Sequence, residues 1–141
     1  MKRNASAIWQ GGIKDGKGSL STASGILKET QYSFSTRFEN GAGTNPEELI
    51  AAAHAGCFAM ALSAQLGAAG MTAERIDATA TVTLDKVEGG FAITESHLEV
   101  KAKIPGADQG AFDTAAAAAK TGCPVSKLFN AKVTMTAILE S

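Results

Sequence analysis

Apolar and polar positions along the chain change period several times, and each change predicts an element boundary. ASAIWQ (5–10) and GSLST (18–22) read as short strands separated by the Gly-rich stretch GGIKDGKG. QYSFSTRFE predicts a third strand. Tyr32, Phe34, Thr36 and Phe38 alternate there with Ser33, Ser35, Arg37 and Glu39, which puts the aromatic residues on one face. GTNPEEL then predicts a helix start: Asn45 suits the N-cap, Pro46 the first helical position, and Glu47 and Glu48 the positive end of the dipole. This helix should run to about residue 69, with Gly70 as its stop. At 100° per residue, Ile50, Ala53, Cys57, Ala61 and Ala64 form the stripe expected to be buried.

The period returns to two in IDATATVTLD, where Ile76, Ala78, Ala80, Val82 and Leu84 face inward. VEGG turns the chain into FAITESHLEVKAKI. Its apolar phase shifts between Phe91/Ile93 and Leu98/Val100/Ala102, which predicts a bulge near residue 95. QGAFDTAAAAAK reads as a second long helix ended by Gly122, VSKLFN as a short helix, and KVTMTAILE as a last strand. The order β-β-β-α-β-β-α-β predicts an α+β fold of mainly antiparallel sheets packed on two main helices. A single domain is expected over residues 1–141.

Composition narrows the function classes. Thirteen Lys and Arg oppose fourteen Asp and Glu, a net charge of −1, and no basic stripe interrupts the chain. A nucleic acid or an anionic membrane therefore has little electrostatic footing as a partner. The opening MKRNASAIWQ turns polar at once, so no secretory leader is expected. The apolar stretch 49–64 contains His54, which suits a buried helix better than a membrane span. Two cysteines are too few for a disulfide scaffold, and a reducing, cytoplasmic setting is expected.

Those cysteines are the candidate chemistry. Cys57, in AAHAGCFAM, sits within a helix where burial disfavours a thiolate and where its own helix dipole offers no help. Cys123 precedes a proline, which pushes it out of helical geometry and toward an N-cap position whose free N–H groups favour a thiolate. Three readings stay open at this level. Both cysteines can be inert packing, both can be reactive, or they can join His54 and His97 around a metal. The spacing lacks a CxxC or HxxxH anchor for the metal, and His97 shares its strand face with Glu95, Glu99, Lys101 and Lys103. His54 by itself reads as a hydrogen-bonded helix residue.

Taken together, STRFENGAGTNPEELIAAAHAGCFAMAL, TLDKVEGGFAIT, AKTGCPVSKLF and the early WQGGIKDGKGSLSTASG resemble the osmotically inducible protein C / organic hydroperoxide resistance family, its OsmC branch in particular. The resemblance spans nearly the whole chain. It implies a thiol-dependent peroxidase of the oxidative and hyperosmotic stress responses, needing no cofactor or metal, which acts on organic hydroperoxides and more weakly on hydrogen peroxide. It implies an intertwined homodimer with two sites at the subunit interface, and recycling by a dithiol, with lipoylated proteins as the donor. By the same resemblance Cys57 is the peroxidatic cysteine, Cys123 the resolving one, Arg37 the stabiliser of the thiolate and Glu47 the residue that orients Arg37. Phe34, Phe38, Phe58, Met60 and Phe129 are candidate walls of an apolar substrate pocket. A different class, a non-enzymatic dimer holding a metal or small ligand in the same Cys/His pocket, is the alternative. Glu47 and Cys57 should lie roughly 15 Å apart along one helix. The expectation is therefore that Arg37 and Glu47 reach the partner subunit's Cys57, with the small-residue helices crossing at the two-fold axis.

Overall fold

The chain is described over residues 1–141 by a computed structural model. Its contacts divide it into two compact units, Met1–Leu49 and Ile50–Ser141.

The first unit is built on an antiparallel meander of β1 (Ala5–Gln10), β2 (Lys17–Thr22) and β3 (Thr30–Tyr32). Gly18 pairs with Trp9 on one side and Tyr32 on the other, and the two rings lie 5.6 Å apart. A Cβ added at Gly18 would fall 2.7 Å from Trp9 Cε3 and from Tyr32 Cζ, so only glycine lets the rings close over the strand. The third strand stops short of its predicted length. From Phe34 to Phe38 the chain is a helix, α1, and the alternation of Tyr32, Phe34, Thr36 and Phe38 does not continue as a strand. The cause is a capping box. Thr36 N–H donates to Ser33 Oγ at 3.3 Å, and Ser33 N–H donates to Thr36 Oγ1 at 2.9 Å. Helical spacing then stacks Phe34 against Phe38, with ring centroids 5.0 Å apart.

Helix α2 (Pro46–Ala68) begins as expected, with Glu48 N–H donating to Asn45 Oδ1 at 2.8 Å. It ends at Gly70, whose φ of +77° a side chain would resist, and Met71 N–H closes back onto Leu66 O at 2.8 Å. The buried stripe differs from the predicted one. His54, Phe58, Leu62 and Leu66 are fully buried, whereas Ala53 and Ala64 are exposed and Cys57 and Ala61 are half-buried. The helix is apolar nearly all round, so the bulky residues at four-residue spacing select the inner face and leave mainly small residues, with Met60, outside. By length and composition α2 could also cross a membrane, and 22% of its apolar window is buried within the chain.

In the second unit α2 packs with a sheet ordered β4 (Arg75–Val87), β5 (Gly90–Lys103), β6 (Lys132–Glu140) and with α3 (Gln109–Gly122). Register shifts opposite Thr83/Leu84, where Glu95 and Ile93 are the paired residues and Thr94 is the extra one. This is the bulge the sequence phase predicted. Ser96, Leu98, Val100 and Ala102 of β5 then turn inward together. The core joins Phe58, Leu62 and Leu66 to Leu98, Val100, Ile104, Phe112 and the α3 alanines 115, 116 and 119. β4 and β5 are antiparallel, but β6 runs parallel to β5. A parallel neighbour requires a crossover. Here it consists of α3 and a one-turn helix, α4 (Pro124–Leu128), and it carries Cys123.

Candidate active site

Cys123 occupies a helix junction. It closes α3 and caps α4, with φ −66° and ψ 139°, and Pro124 supplies a first helical residue that needs no N–H partner. Its Sγ accepts Ser126 N–H at 3.4 Å and lies 3.1 Å from Ser126 Oγ. The thiol is completely buried.

Cys57 reaches the same place from α2. It is half-buried against the core cluster that contains Cys123, and both cysteines are free. Burial pushes the Cys57 thiol up from its ordinary pKa, and the adjacent Cys123 thiol adds to the rise. The Val125 backbone N–H pulls the other way. The expectation that Cys57 gains nothing from a dipole therefore holds for its own helix only, because the first turn of α4 brings it a backbone donor.

His54, one turn before Cys57, is fully buried. Its Nδ1 lies 2.7 Å from Ser96 Oγ and its Nε2 lies 2.8 Å from Ser126 Oγ. Phe129 covers the imidazole edge-on, with centroids 5.0 Å apart. Burial without a counter-charge lowers the His54 pKa, so the ring is neutral at neutral pH. Both ring nitrogens are committed to serine hydroxyls, and a metal could take one only by displacing a hydrogen bond. His97, on the other face of β5, hydrogen-bonds Thr134 and Thr136 of β6. No cluster of three His, Cys, Asp or Glu side chains with metal-site geometry forms.

The two serines escaped the sequence reading. Ser96 had a signal, as the one polar residue on the inward face of an apolar strand. A buried hydroxyl needs a partner. Ser126 had a weaker one, three residues after the cap of a short helix.

In the first unit Arg37 sits in the last turn of α1 rather than on a strand. Its Nε donates to Glu47 Oε1 at 3.0 Å and Oε2 at 3.2 Å, and its Nη2 donates to Oε1 at 2.7 Å. The arginine side chain is 38% exposed and the glutamate 11%. This fork leaves Nη1 uncommitted to the carboxylate. The guanidinium also lies over the Phe38 ring, 5.2 Å from its centroid. Glu48 does not join this fork: it is exposed, and its Oε1 accepts the Thr44 hydroxyl at 2.8 Å.

The five candidate pocket residues are divided between the two units. Phe34 and Phe38 line a cavity of about 210 Å³ in the first unit, together with Trp9, Ile13, Tyr32 and Arg37. Phe58 is sealed in the core of the second unit, Met60 is 78% exposed, and Phe129 lies on His54.

Comparison with known proteins identifies the family. The model of the OsmC-like protein family matches residues 39–137. The chain is 52% identical over 141 residues to Peroxiredoxin OsmC of Escherichia coli strain K12, covering 100% of this chain and 99% of that protein. It is 30% identical over 100 residues to the organic hydroperoxide resistance protein of Xanthomonas axonopodis pv. citri strain 306, covering 70% and 68%. A crystal structure of an organic hydroperoxide resistance protein OsmC from Legionella pneumophila covers 98% of this chain and 97% of its own. Its TM-score is 0.68 and its identity 26%. With the family model matched over residues 39–137 and a full-length relative at 52% identity, the chain belongs to the OsmC-like protein family.

Proposed function

We propose that this chain is a cysteine-based peroxidase that reduces organic hydroperoxides, and hydrogen peroxide more weakly, in the cytoplasm. The observation that carries the reading is the meeting of Cys57 and Cys123, distant in sequence, as free neighbouring thiols at the core of the second unit. The name of the Escherichia coli relative supports the same reaction class.

The Cys57 thiolate attacks the O–O bond, taking one oxygen as a sulfenic acid and releasing an alkoxide that leaves as the alcohol. The Cys123 thiol then displaces hydroxide from the Cys57 sulfur, giving a disulfide and water. An external dithiol, with lipoylated proteins as the donor, reduces that disulfide and is itself oxidised. Because its own unit pushes the Cys57 pKa up, the thiolate needs a cation. Arg37, held by Glu47 with Nη1 to spare, is the candidate. We further propose that two chains pair along the exposed small residues of α2, and that Arg37 and Glu47 serve the partner subunit's Cys57. The cavity beside Arg37, walled by Trp9, Ile13, Phe34 and Phe38, supports a preference for alkyl peroxides.

The test is peroxide consumption with and without dithiothreitol. Wild type should turn over only with the dithiol, Cys57→Ser should consume nothing, and Cys123→Ser should consume one equivalent and stall. Peroxide-treated wild type with both thiols still free would defeat the proposal.

A further inference from the structure

Disulfide closure requires the completely buried Cys123 thiol to lose its proton. No carboxylate or lysine hydrogen-bonds to Cys123. Its polar side-chain neighbour is the Ser126 hydroxyl at 3.1 Å, and that hydroxyl is 2.8 Å from His54 Nε2, whose ring is anchored at 2.7 Å by Ser96. The chain Ser96–His54–Ser126–Cys123 is continuous, and three of its members are completely buried. We propose that Ser126 is the catalytic proton acceptor for Cys123 in disulfide closure, with His54 the base behind it and Ser96 the residue that sets the His54 tautomer. This inference rests on the peroxidase reading above.

The geometry allows one productive arrangement of protons. Nδ1–H donates to Ser96 Oγ, Nε2 accepts the Ser126 O–H, and Ser126 Oγ accepts the Cys123 S–H. As the Cys123 sulfur bonds to the Cys57 sulfur, the S–O bond of the sulfenic acid breaks. The thiol proton passes to Ser126 Oγ while the Ser126 proton passes to Nε2. It returns through the same hydroxyl to the departing hydroxide, which leaves as water. The products are one disulfide and one water, with no external acid or base consumed. The neutral resting state of His54 keeps Nε2 open for this transfer. Ser126 N–H, already 3.4 Å from Sγ, supports the charge that develops there. In the reverse direction the chain reprotonates Cys123 when a dithiol opens the bond.

Cys57 has the Val125 backbone N–H and the Cys123 thiol as its partners rather than His54 or Ser126, so the two chemical steps can be read apart. One equivalent of cumene hydroperoxide is mixed with wild type, Ser126→Ala, Ser126→Thr and His54→Gln. Peroxide loss reports the first step, and mass spectrometry of quenched samples reports the disulfide and the dimedone-trapped sulfenic acid at Cys57. In Ser126→Ala and His54→Gln closure should slow by about 10²-fold, the lower range for general acid–base assistance. The sulfenic acid should accumulate while the peroxide-loss rate stays within about twofold of wild type. Ser126→Thr, which keeps the hydroxyl, should restore closure. Wild-type closure rates in both variants, or an equal fall in both steps, would overturn the relay alone. A wild type that forms no Cys57–Cys123 disulfide would overturn the relay together with the peroxidase reading.

Discussion

In the proposed mechanism Arg37 supplies the cation for the Cys57 thiolate, and replacing it by alanine removes that charge. Within its own unit the Cys57 thiol is raised above its ordinary pKa, by burial first and by the Cys123 thiol besides, against the single favourable pull of the Val125 N–H. A thiol near its ordinary value of about 8.5 is only a few per cent ionised at pH 7, and each unit upward cuts that fraction about tenfold. An opposite charge within ~4–6 Å lowers a pKa by about one to three units, because it stabilises only the ionised form. The fork from Arg37 to Glu47, with contacts of 2.7–3.2 Å, aims the guanidinium and leaves Nη1 for a second anion. Arg37→Ala should therefore raise the Cys57 pKa and lower the first-step rate near neutral pH by about ten- to a hundredfold. The deficit should shrink as pH rises through the raised pKa and the thiolate returns. Arg37→Lys should recover only part of the loss, since one ammonium cannot reproduce the fork. Removing Arg37 also strands a largely buried carboxylate, so the double variant Arg37→Ala/Glu47→Gln separates lost charge from local damage. The measurement is an ultraviolet thiolate titration in a Cys123→Ser background, beside stopped-flow peroxide consumption. A thiolate titration unchanged from wild type in Arg37→Ala would remove Arg37 from this role.

Two further substitutions test the supports of the site. Phe58→Ala empties a fully buried position between α2 and the sheet and should destabilise the fold by about 3–5 kcal/mol, read from the urea midpoint at fixed protein concentration. Ser33→Ala removes the acceptor for Thr36 N–H and should cost about 0.5–2 kcal/mol. That is enough to fray a five-residue helix, so amide exchange should quicken across Phe34–Phe38 and hydroperoxide turnover should fall through misplacement of Arg37.

Where local chemistry decides an element, the sequence was readable. Asn45 and Pro46 start α2, Gly70 stops it, and the phase change in β5 announces the bulge at Thr94. Where two patterns compete, it was not. Residues 32–38 alternate at period two, yet a side-chain cap at Ser33 outweighs that alternation and turns Arg37 onto a helix. In α2 apolar residues surround the helix, so periodicity cannot choose a buried face. Side-chain bulk does, which is why Phe58 and Leu62 are in the core while Ala53 and Ala64 are not. The direction of β6 depends on the path of the crossover, which no alternation within the strand encodes. The site shows the same division. Nothing in the spacing of Cys57 and Cys123 pairs them, and only resemblance to a family suggested it. The geometry then adds what resemblance did not: the partners of His54, which the sequence read as a hydrogen-bonded helix residue without saying to what it bonds. His54 becomes legible only once the inner face of β5 is known. Ser96 then stands as a hydroxyl among Leu98, Val100 and Ala102, and a hydroxyl in such surroundings demands a partner. Following that demand leads from Ser96 through His54 and Ser126 to the sulfur of Cys123. A polar residue on the wrong face of a strand is thus the trace, in the sequence, of the hydrogen-bonded chain on which the proposed relay rests, and it can be read only after the fold has said which face is wrong.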